Sequence, residues 1–235
     1  AVDTEAISGQ LRAFVPESGE RAVVIEAGLP LPELAPGPRL LKRPALLGVG
    51  PLRRESGFDI AIEALADIRT RIGKAVLTLV GDGPERAALE AQAAELGLAD
   101  VVDFRGTVSA SRLPGIVNQS SLIVVPSRVP VSSSAISILG GQLLRPVIAS
   151  SIGGLDEIIV QHGSGLLVVP EDPAALAGAA RRLLSEPGSA ADLGRRGRTL
   201  ARERFGWDRF VNAVEQLLNS ALAPAPVGSN RDLVG

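Results

Sequence analysis

The sequence predicts a protein of the α/β class, with one parallel sheet of about six strands and helices on both of its faces. From residue 44 onward, short apolar runs alternate with segments whose apolar residues recur every three or four positions. Apolar strands that alternate with amphipathic helices indicate βαβ units, which form a parallel sheet covered on both faces. After the last apolar run, only helical patterns follow.

Six apolar runs are the predicted strands of this sheet. In chain order they lie at 45–49, 76–80, 101–104, 122–125, 147–149 and 166–169. An earlier β-branched run at 22–25 predicts a separate short strand. It is followed by the segment 29–40, whose prolines exclude a central strand or a helix and indicate a linker.

The helices are predicted from the spacing of apolar residues and from helix-start signals. Apolar residues between Phe58 and Ile68 are spaced by three and four, which places them on one helical face. Asp172 and Pro173 combine an N-cap residue with proline at the first helical position. Three helices are predicted after the sheet, at 172–184, 190–205 and 207–222. We therefore expect an N-terminal segment with a linker at 1–43, a domain at 44–222 and a flexible tail at 223–235.

Composition excludes several classes of function. The chain of 235 residues carries 24 Lys and Arg against 26 Asp and Glu, a net charge of −2, so it has no broad attraction for nucleic acid. It contains no cysteine, which excludes disulfides and thiolate metal sites and fits a cytoplasmic protein. No apolar run reaches the ~20 residues of a membrane-spanning helix. We expect no cofactor, metal, nucleic acid or membrane segment.

Ligands of an open parallel sheet bind beyond the carboxyl ends of its strands, so the loops after the apolar runs are the candidate site. Two of these loops are rich in glycine, at 48–53 with Gly50 and at 81–86 with Gly83. Both begin like a dinucleotide fingerprint but have arginine, Arg53 or Arg86, at its final glycine position. An NAD-binding protein is therefore a distant alternative, and the glycines also suit simple turns.

A third loop, at 129–134, leads into a helix predicted to start at about Ala135. It ends in three consecutive serines, among them Ser133 and Ser134. A helix N-terminus offers free N–H groups and a partial positive charge, which suit a diphosphate. The same serines also serve as N-caps, and the sequence leaves these two roles open.

Several of these segments, in this order, resemble the C-terminal, nucleotide-sugar-binding domain of family-4-type retaining glycosyltransferases, which have the two-domain GT-B fold. The matching pieces are LVGDGP at 79–84, VDFRG at 102–106, VPS at 125–127, GGLDE at 153–157 and GLLV at 165–168. A further match is ARERFGWDRFV at 201–211, and the resemblance extends from about residue 22 to residue 218. It implies a Rossmann-like domain that forms one half of a GT-B fold.

The sequence departs from this family where the chemistry is expected. The family frame of a leading P-S and a trailing R-P-V survives at 126–127 and 145–147, but its two glutamates are replaced by Val131 and Leu139. The family's arginine and lysine, which hold the donor diphosphate, are replaced by Pro51 and Ser56. The resemblance therefore implies no catalytic residue in this chain.

The candidate donor-binding residues follow from the loops and from the resemblance together. Arg53 and Arg54 lie in the same loop as the two lost cations, and they either supply charge from displaced positions or are ordinary solvated arginines. The full set of candidate residues is Gly50, Arg53, Arg54, Ser56, Gly83, Gly106, Ser133, Ser134 and Ala135.

Two functional hypotheses result. In the first, the chain is a glycosyltransferase-like domain that binds a nucleotide-diphosphate sugar weakly and is inactive alone. In the second, it is a non-catalytic pseudo-glycosyltransferase module that stabilises or regulates a partner domain or subunit. About 40 residues precede the predicted sheet, which is too few for the acceptor-binding domain of a GT-B enzyme. We therefore expect an N-terminal Rossmann-like domain or a partner chain to complete the cleft.

Overall fold

A six-stranded parallel sheet forms the centre of the protein in a computed structural model. The structure describes residues 23, 25, 28–30, 32, 35–36, 43–130, 135–153, 155, 159 and 163–222. The strands are β1 (Ala45–Val49), β2 (Val76–Val80), β3 (Val102–Phe104), β4 (Leu122–Val125), β5 (Val147–Ser150) and β6 (Gly165–Val168). Their order across the sheet is β3-β2-β1-β4-β5-β6, so β1 is central and the order reverses beside it.

Helices connect the strands and continue after the last one. A short 3-10 helix, Arg54–Ser56, follows β1. The α-helices are α1 (Phe58–Arg71), α2 (Arg86–Glu95), α3 (Leu113–Asn118), α4 (Ala135–Gln142), α5 (Pro173–Ser185), α6 (Pro187–Glu203) and α7 (Trp207–Leu222). The carboxylate of Asp172 accepts a hydrogen bond from the backbone N–H of Ala175, so the predicted N-cap of α5 is present.

The core lies on both sides of the sheet because successive strand residues point to opposite faces. Leu46 of β1 belongs to a cluster with residues of α1 and α5, whereas the next residue, Leu47, belongs to a cluster with residues of α4 and α6. The prediction of a parallel α/β sheet of six strands covered on both faces is confirmed.

The run at 22–25 differs from its prediction. Val23 and Ile25 are its described residues, and neither belongs to a strand. Ile25 is nevertheless buried, at 8% exposure. An apolar, β-branched run indicates burial as well as extended backbone, and at Ile25 only the burial is realised.

Helix α4 is held against α6 by a close approach of their backbones. A Cβ atom added at Gly141 would lie 2.6 Å from the carbonyl oxygen of Gly197, so α4 needs glycine at this position, and a Cβ atom at Gly197 would lie 3.2 Å from the Cα of Gly141. Such contact between small residues brings helix axes unusually close. This contact therefore positions the last turn of α4 against α6.

Candidate functional site

The loops after β1, β2 and β3 form one continuous edge at the carboxyl end of the sheet. The N–H of Gly50 donates to the carbonyl of Val80 at 2.9 Å, and the N–H of Gly81 donates to the carbonyl of Gly106 at 2.9 Å. The loop that carries Gly83 is joined to the loop after β1 by two further backbone hydrogen bonds. Three glycines predicted as binding residues, Gly50, Gly83 and Gly106, are thus brought to the same edge.

Close packing gives these loops a structural need for glycine. Gly81 has a φ of +137°, and a Cβ atom there would overlap the carbonyl of Gly50. Gly57, at the end of the 3-10 helix, has a φ of +68°, and a Cβ atom there would overlap the carbonyl of Pro126. The turn interpretation of the glycine-rich loops therefore accounts for their composition.

Pro51 and Ser56, which stand in place of the two expected cations, contact each other. The hydroxyl of Ser56 donates to the carbonyl oxygen of Pro51 at 2.6 Å. This hydrogen bond closes the loop after β1 on itself and uses the only hydroxyl proton of Ser56. Neither side chain carries a positive charge toward the edge of the sheet.

Arg53 and Arg54 are exposed in the same loop. The structure gives neither of their side chains an ion pair or a hydrogen bond with another described residue. The carbonyl of Arg54 accepts a hydrogen bond of 2.8 Å from the side chain of Arg128. Both guanidinium groups are therefore available to bind an anion. The same exposure is also typical of loop arginines that contact only solvent.

Arg128, in the loop after β4, is a cation that the sequence did not single out. Its guanidinium donates to both carboxylate oxygens of Asp59, at 2.8 and 2.7 Å, and to Glu171 at 2.9 Å. Its backbone N–H donates to the carbonyl of Glu55 at 2.8 Å. Arg128 thus joins the loop after β1, the first turn of α1 and the turn after β6, and its charge is neutralised within the chain.

These contacts shift the pKa values of both charged groups. Burial acts to raise the pKa of Asp59, but the hydrogen bonds and the charge of Arg128 outweigh it, so this pKa lies below its ordinary value. The hydrogen bond to Asp59 raises the pKa of Arg128, with Glu171 adding to the effect. Both groups are therefore charged at neutral pH.

The first turn of α4 borders an apolar cavity rather than a polar one. Ala135 is exposed, while Ser133, Ser134 and Val131 lie outside the described residues. Leu139, one turn further along α4, lines a cavity of about 570 Å³ together with Val49. The side chain of Leu139 has no carboxylate or hydroxyl group with which to bind a sugar or a ribose.

A larger cavity of about 880 Å³ adjoins this one through the shared residues Pro32 and Pro114. Two arginines, Arg105 and Arg112, line it, and Arg105 forms an ion pair of 2.7 Å with Asp103.

Within the described part of the chain, no group of three or more His, Cys, Asp or Glu side chains is arranged to hold a metal ion. Over the same residues, no helix has the length and hydropathy to cross a membrane.

Residues 35–200 match the sequence family described as glycosyl transferases group 1. The chain belongs to this family. Among curated relatives, it is 31% identical over 219 residues to the D-inositol 3-phosphate glycosyltransferase of Streptomyces avermitilis, covering 90% of this chain and 45% of that protein. It is 36% identical over 188 residues to the enzyme of the same name from Acidothermus cellulolyticus, covering 76% of this chain and 41% of that protein. The chain thus spans less than half of these relatives.

Solved structures agree with this membership. Sucrose-phosphate synthase from Thermosynechococcus elongatus superposes with a TM-score of 0.84 at 29% identity, covering 95% of this chain and 58% of that one. The C-terminal domain of a group 1 glycosyl transferase from Francisella tularensis superposes with a TM-score of 0.63 at 20% identity, covering 74% of this chain and 89% of that one. The resemblance to the C-terminal domain of a GT-B glycosyltransferase is confirmed.

Within this group 1 glycosyltransferase domain, the backbone scaffold matches the family, whereas the side chains of the expected donor loops do not. The glycine edge of β1, β2 and β3 is in place, with its backbone hydrogen bonds formed. The cations expected beside it are absent at Pro51 and Ser56, and the glutamate expected beside it is absent at Leu139. The assignment of the nine candidate residues to donor binding stays a prediction.

Proposed function

We propose that this group 1 glycosyltransferase domain binds nucleotide-diphosphate sugars only weakly and does not transfer the sugar by itself. The ligand class comes from the family and from relatives such as the GDP-mannose-dependent alpha-(1-6)-phosphatidylinositol monomannoside mannosyltransferase of Mycobacterium tuberculosis, 31% identical over 186 residues. The low affinity is inferred from the residues of the loop after β1 in this chain.

The observation that carries the proposal is the hydrogen bond of 2.6 Å between Ser56 and Pro51. At these two positions the family has cations that hold the diphosphate, whereas here a hydroxyl and a carbonyl are paired to each other. Charge-assisted hydrogen bonds contribute about 1.5–3 kcal/mol each. Losing two of them corresponds to a decrease in affinity of about two to four orders of magnitude.

The neighbouring cations do not restore this charge. Arg128 is held by Asp59 and Glu171, so its release toward a phosphate would leave two carboxylates without their partner. Arg53 and Arg54 are the remaining cations of the loop, and they are exposed to solvent, where an ion pair is worth little. Weak residual binding through these two arginines fits both facts.

Calorimetric titration with UDP and GDP tests the proposal. The unmodified chain should bind both weakly, and the double substitution Pro51→Arg with Ser56→Lys should raise the affinity at least about tenfold. Ala88→Arg with Ala91→Lys, at exposed positions of α2, adds the same charge elsewhere and should leave the affinity unchanged. Tight nucleotide binding by the unmodified chain would contradict the proposal.

Sugar transfer is tested separately. Incubation of the chain with UDP-glucose or GDP-mannose and a range of acceptors should give no product above background, because Leu139 supplies no polar contact and the chain spans less than half of its enzyme relatives. The acceptor side of a GT-B cleft would come from an N-terminal Rossmann-like domain or from a partner chain. Turnover by the chain alone would refute this part of the proposal.

The second candidate function is a non-catalytic module that stabilises or regulates such a partner. The last helix, α7, favours it, since apolar residues recur along one side of the helix and none of its residues is fully buried. Trp207 is 48% exposed and Leu218 is 55% exposed. An apolar helical face of this kind is typical of a surface that packs on another domain.

Co-expression with an upstream Rossmann-like domain tests this function. It should give a complex that Leu218→Asp weakens, and separate elution of the two domains would argue against it.

A further inference from the structure

The larger cavity, beside α3, combines exposed polar side chains with a half-buried apolar surface. Its volume is about 880 Å³, within the range of small-molecule sites. The described lining comes from the loop after β3, from α3 with its flanking residues, and from the N-terminal segment. Its polar residues are all exposed, and they are Arg105, Thr107, Ser111, Arg112 and Gln119. Val108, Pro114 and Ile116 are half-buried, so the polar groups are the more accessible part of the lining.

The described lining carries two positive charges and no negative one, although the whole chain has 24 Lys and Arg against 26 Asp and Glu. Arg112 has no ion pair or side-chain hydrogen bond with another described residue. Arg105 donates from Nε to Asp103 at 2.7 Å, while its two Nη groups have no hydrogen-bond partner among the described residues. A concave surface lined by charge of one sign attracts ligands of the opposite sign.

Gly115 leaves room in this cavity. It lies within α3, where glycine is less favourable than alanine. A Cβ atom added at Gly115 would meet no atom within 4 Å, so packing does not require glycine at this position. Because Gly115 lines the cavity, a larger side chain there would take up open space beside the two arginines.

The chemistry of the lining selects one class of ligand. The planar guanidinium group matches the oxygens of a phosphate at two points. A phosphate monoester carries about −1.5 to −2 charges at neutral pH, which two arginines neutralise. The exposed hydroxyl and amide groups of Thr107, Ser111 and Gln119 can exchange hydrogen bonds with the hydroxyl groups of a sugar.

We propose that this cavity binds a small organic phosphate, of the sugar phosphate class, through Arg105 and Arg112. The inference goes beyond the weak nucleotide binding proposed above, because the described lining includes none of the nine candidate donor-binding residues. Its test therefore stands whether or not the chain binds nucleotides.

Ribose 5-phosphate and ribose are suitable probes, since they differ only in the phosphate group. In protein-observed NMR titrations, ribose 5-phosphate should shift the amide signals of Thr107, Ser111 and Gly115 saturably. Ribose should bind at least about tenfold more weakly, because it meets neither arginine with a charge. Inorganic phosphate, which lacks the sugar hydroxyls, should bind about threefold more weakly. Shifts confined to the loop after β1, or equal affinity for either comparison ligand, would overturn the proposal.

Charge substitutions test the two arginines. Arg112→Gln should lower the affinity for ribose 5-phosphate about threefold, and the double substitution Arg105→Gln with Arg112→Gln about tenfold. Arg71→Gln removes the same charge at the exposed end of α1 and should leave the affinity unchanged. Equal weakening by Arg112→Gln and Arg71→Gln would assign the binding to the overall charge of the chain and refute the site.

A second pair of variants tests the cavity itself without changing any charge. Gly115→Leu should occupy the open space and weaken the binding of ribose 5-phosphate at least about tenfold. Gly188→Leu adds the same side chain at an exposed position of α6 that also has no atom within 4 Å, and it should leave binding intact. Equal binding by the two variants would place the ligand elsewhere and refute the site. Circular dichroism of each variant checks that the fold is retained.

Discussion

Arg128 and Asp59 form a two-point ion pair at the carboxyl edge of the sheet, with distances of 2.8 Å from Nη1 to Oδ1 and 2.7 Å from Nη2 to Oδ2. The planar guanidinium matches the carboxylate at both oxygens, which fixes the orientation of the loop after β4 relative to the first turn of α1. Asp59 also lies in the first turn of α1, where a negative charge is favoured by the helix dipole. The pair thus organises the region around the candidate donor site without leaving charge for a ligand.

Arg128→Met should lower the free energy of unfolding by about 1–3 kcal/mol, because the partly buried Asp59 loses its main partner. Urea denaturation followed by circular dichroism measures this change. Arg182→Met is the control, since Arg182 pairs with Glu186 on an exposed helix end and its loss should cost less than about 1 kcal/mol. Equal losses for the two variants would show that the Arg128 contacts add nothing to stability.

The lowered pKa of Asp59 predicts a particular dependence of stability on pH. A carboxyl whose pKa is lower in the folded chain than in the unfolded chain stabilises the fold above its unfolded pKa of 3.8. This stabilisation is lost as the pH falls below that value, through the folded pKa. The difference in melting temperature between the unmodified chain and Asp59→Asn should therefore be constant near neutral pH and shrink below about pH 4. A difference that stays constant down to pH 2.5 would contradict this account.

Two glycines should respond to alanine with opposite signs. Gly57→Ala should destabilise the protein by at least about 2 kcal/mol, because the added Cβ overlaps the carbonyl of Pro126 and the backbone φ is +68°. Gly178, within α5, has no atom within 4 Å of the Cβ position, so Gly178→Ala should stabilise by about 0.5–1 kcal/mol. Chemical denaturation of both variants compares them directly. Stabilisation by Gly57→Ala would mean that the loops after β1 and β4 do not approach as described.

Arg54→Ala should lower the weak affinity for UDP about threefold, if the exposed arginines of the loop after β1 supply the residual charge, because an exposed ion pair contributes at most about 1 kcal/mol. Arg71→Ala is the matched control, since Arg71 is exposed at the end of α1, away from the loops that carry the candidate site. Calorimetric titration of the two variants distinguishes a ligand-binding arginine from a solvated one. The same affinity in both variants would assign Arg54 to the solvated class.

The last helix should tolerate charge where it is exposed. Leu222 is 80% exposed, so Leu222→Asp should change the free energy of unfolding by less than about 0.5 kcal/mol. Phe205, just before α7, is 2% exposed, and Phe205→Ala should cost about 3–5 kcal/mol. Thermal and urea unfolding measure both. A large loss in Leu222→Asp would show that this end of α7 is covered within the chain itself.

The strands could be predicted because each is a short apolar run, and burial on both faces leaves little choice of side chain. The strands β1, β2 and β4 have the predicted bounds, while β3 begins one residue later, at Val102. The run at 22–25 shows the limit of this argument, since Ile25 is buried without joining a strand. Local pattern specifies burial more strongly than it specifies pairing.

The site was predictable only where its residues are close together in the chain. The loss of cations at Pro51 and Ser56 is visible in the sequence, but their mutual hydrogen bond is a property of the folded loop. Arg128 meets Asp59, 69 residues away, and Glu171, 43 residues away, and no local pattern links the three. The apolar cavity that Leu139 lines also depends on distant segments, because Gln142 reaches Leu29 across 113 residues.

The contact between Gly141 and Gly197 makes the far end of the chain a support for the candidate site. Because the last turn of α4 rests directly on the backbone of α6, the position of α4 depends on a helix that follows all six strands in the chain. A protein shortened before α6 would keep the sequence of all six strands but lose this contact. Residues that follow the sheet in the chain thus contribute to the placement of the helix that borders the apolar cavity.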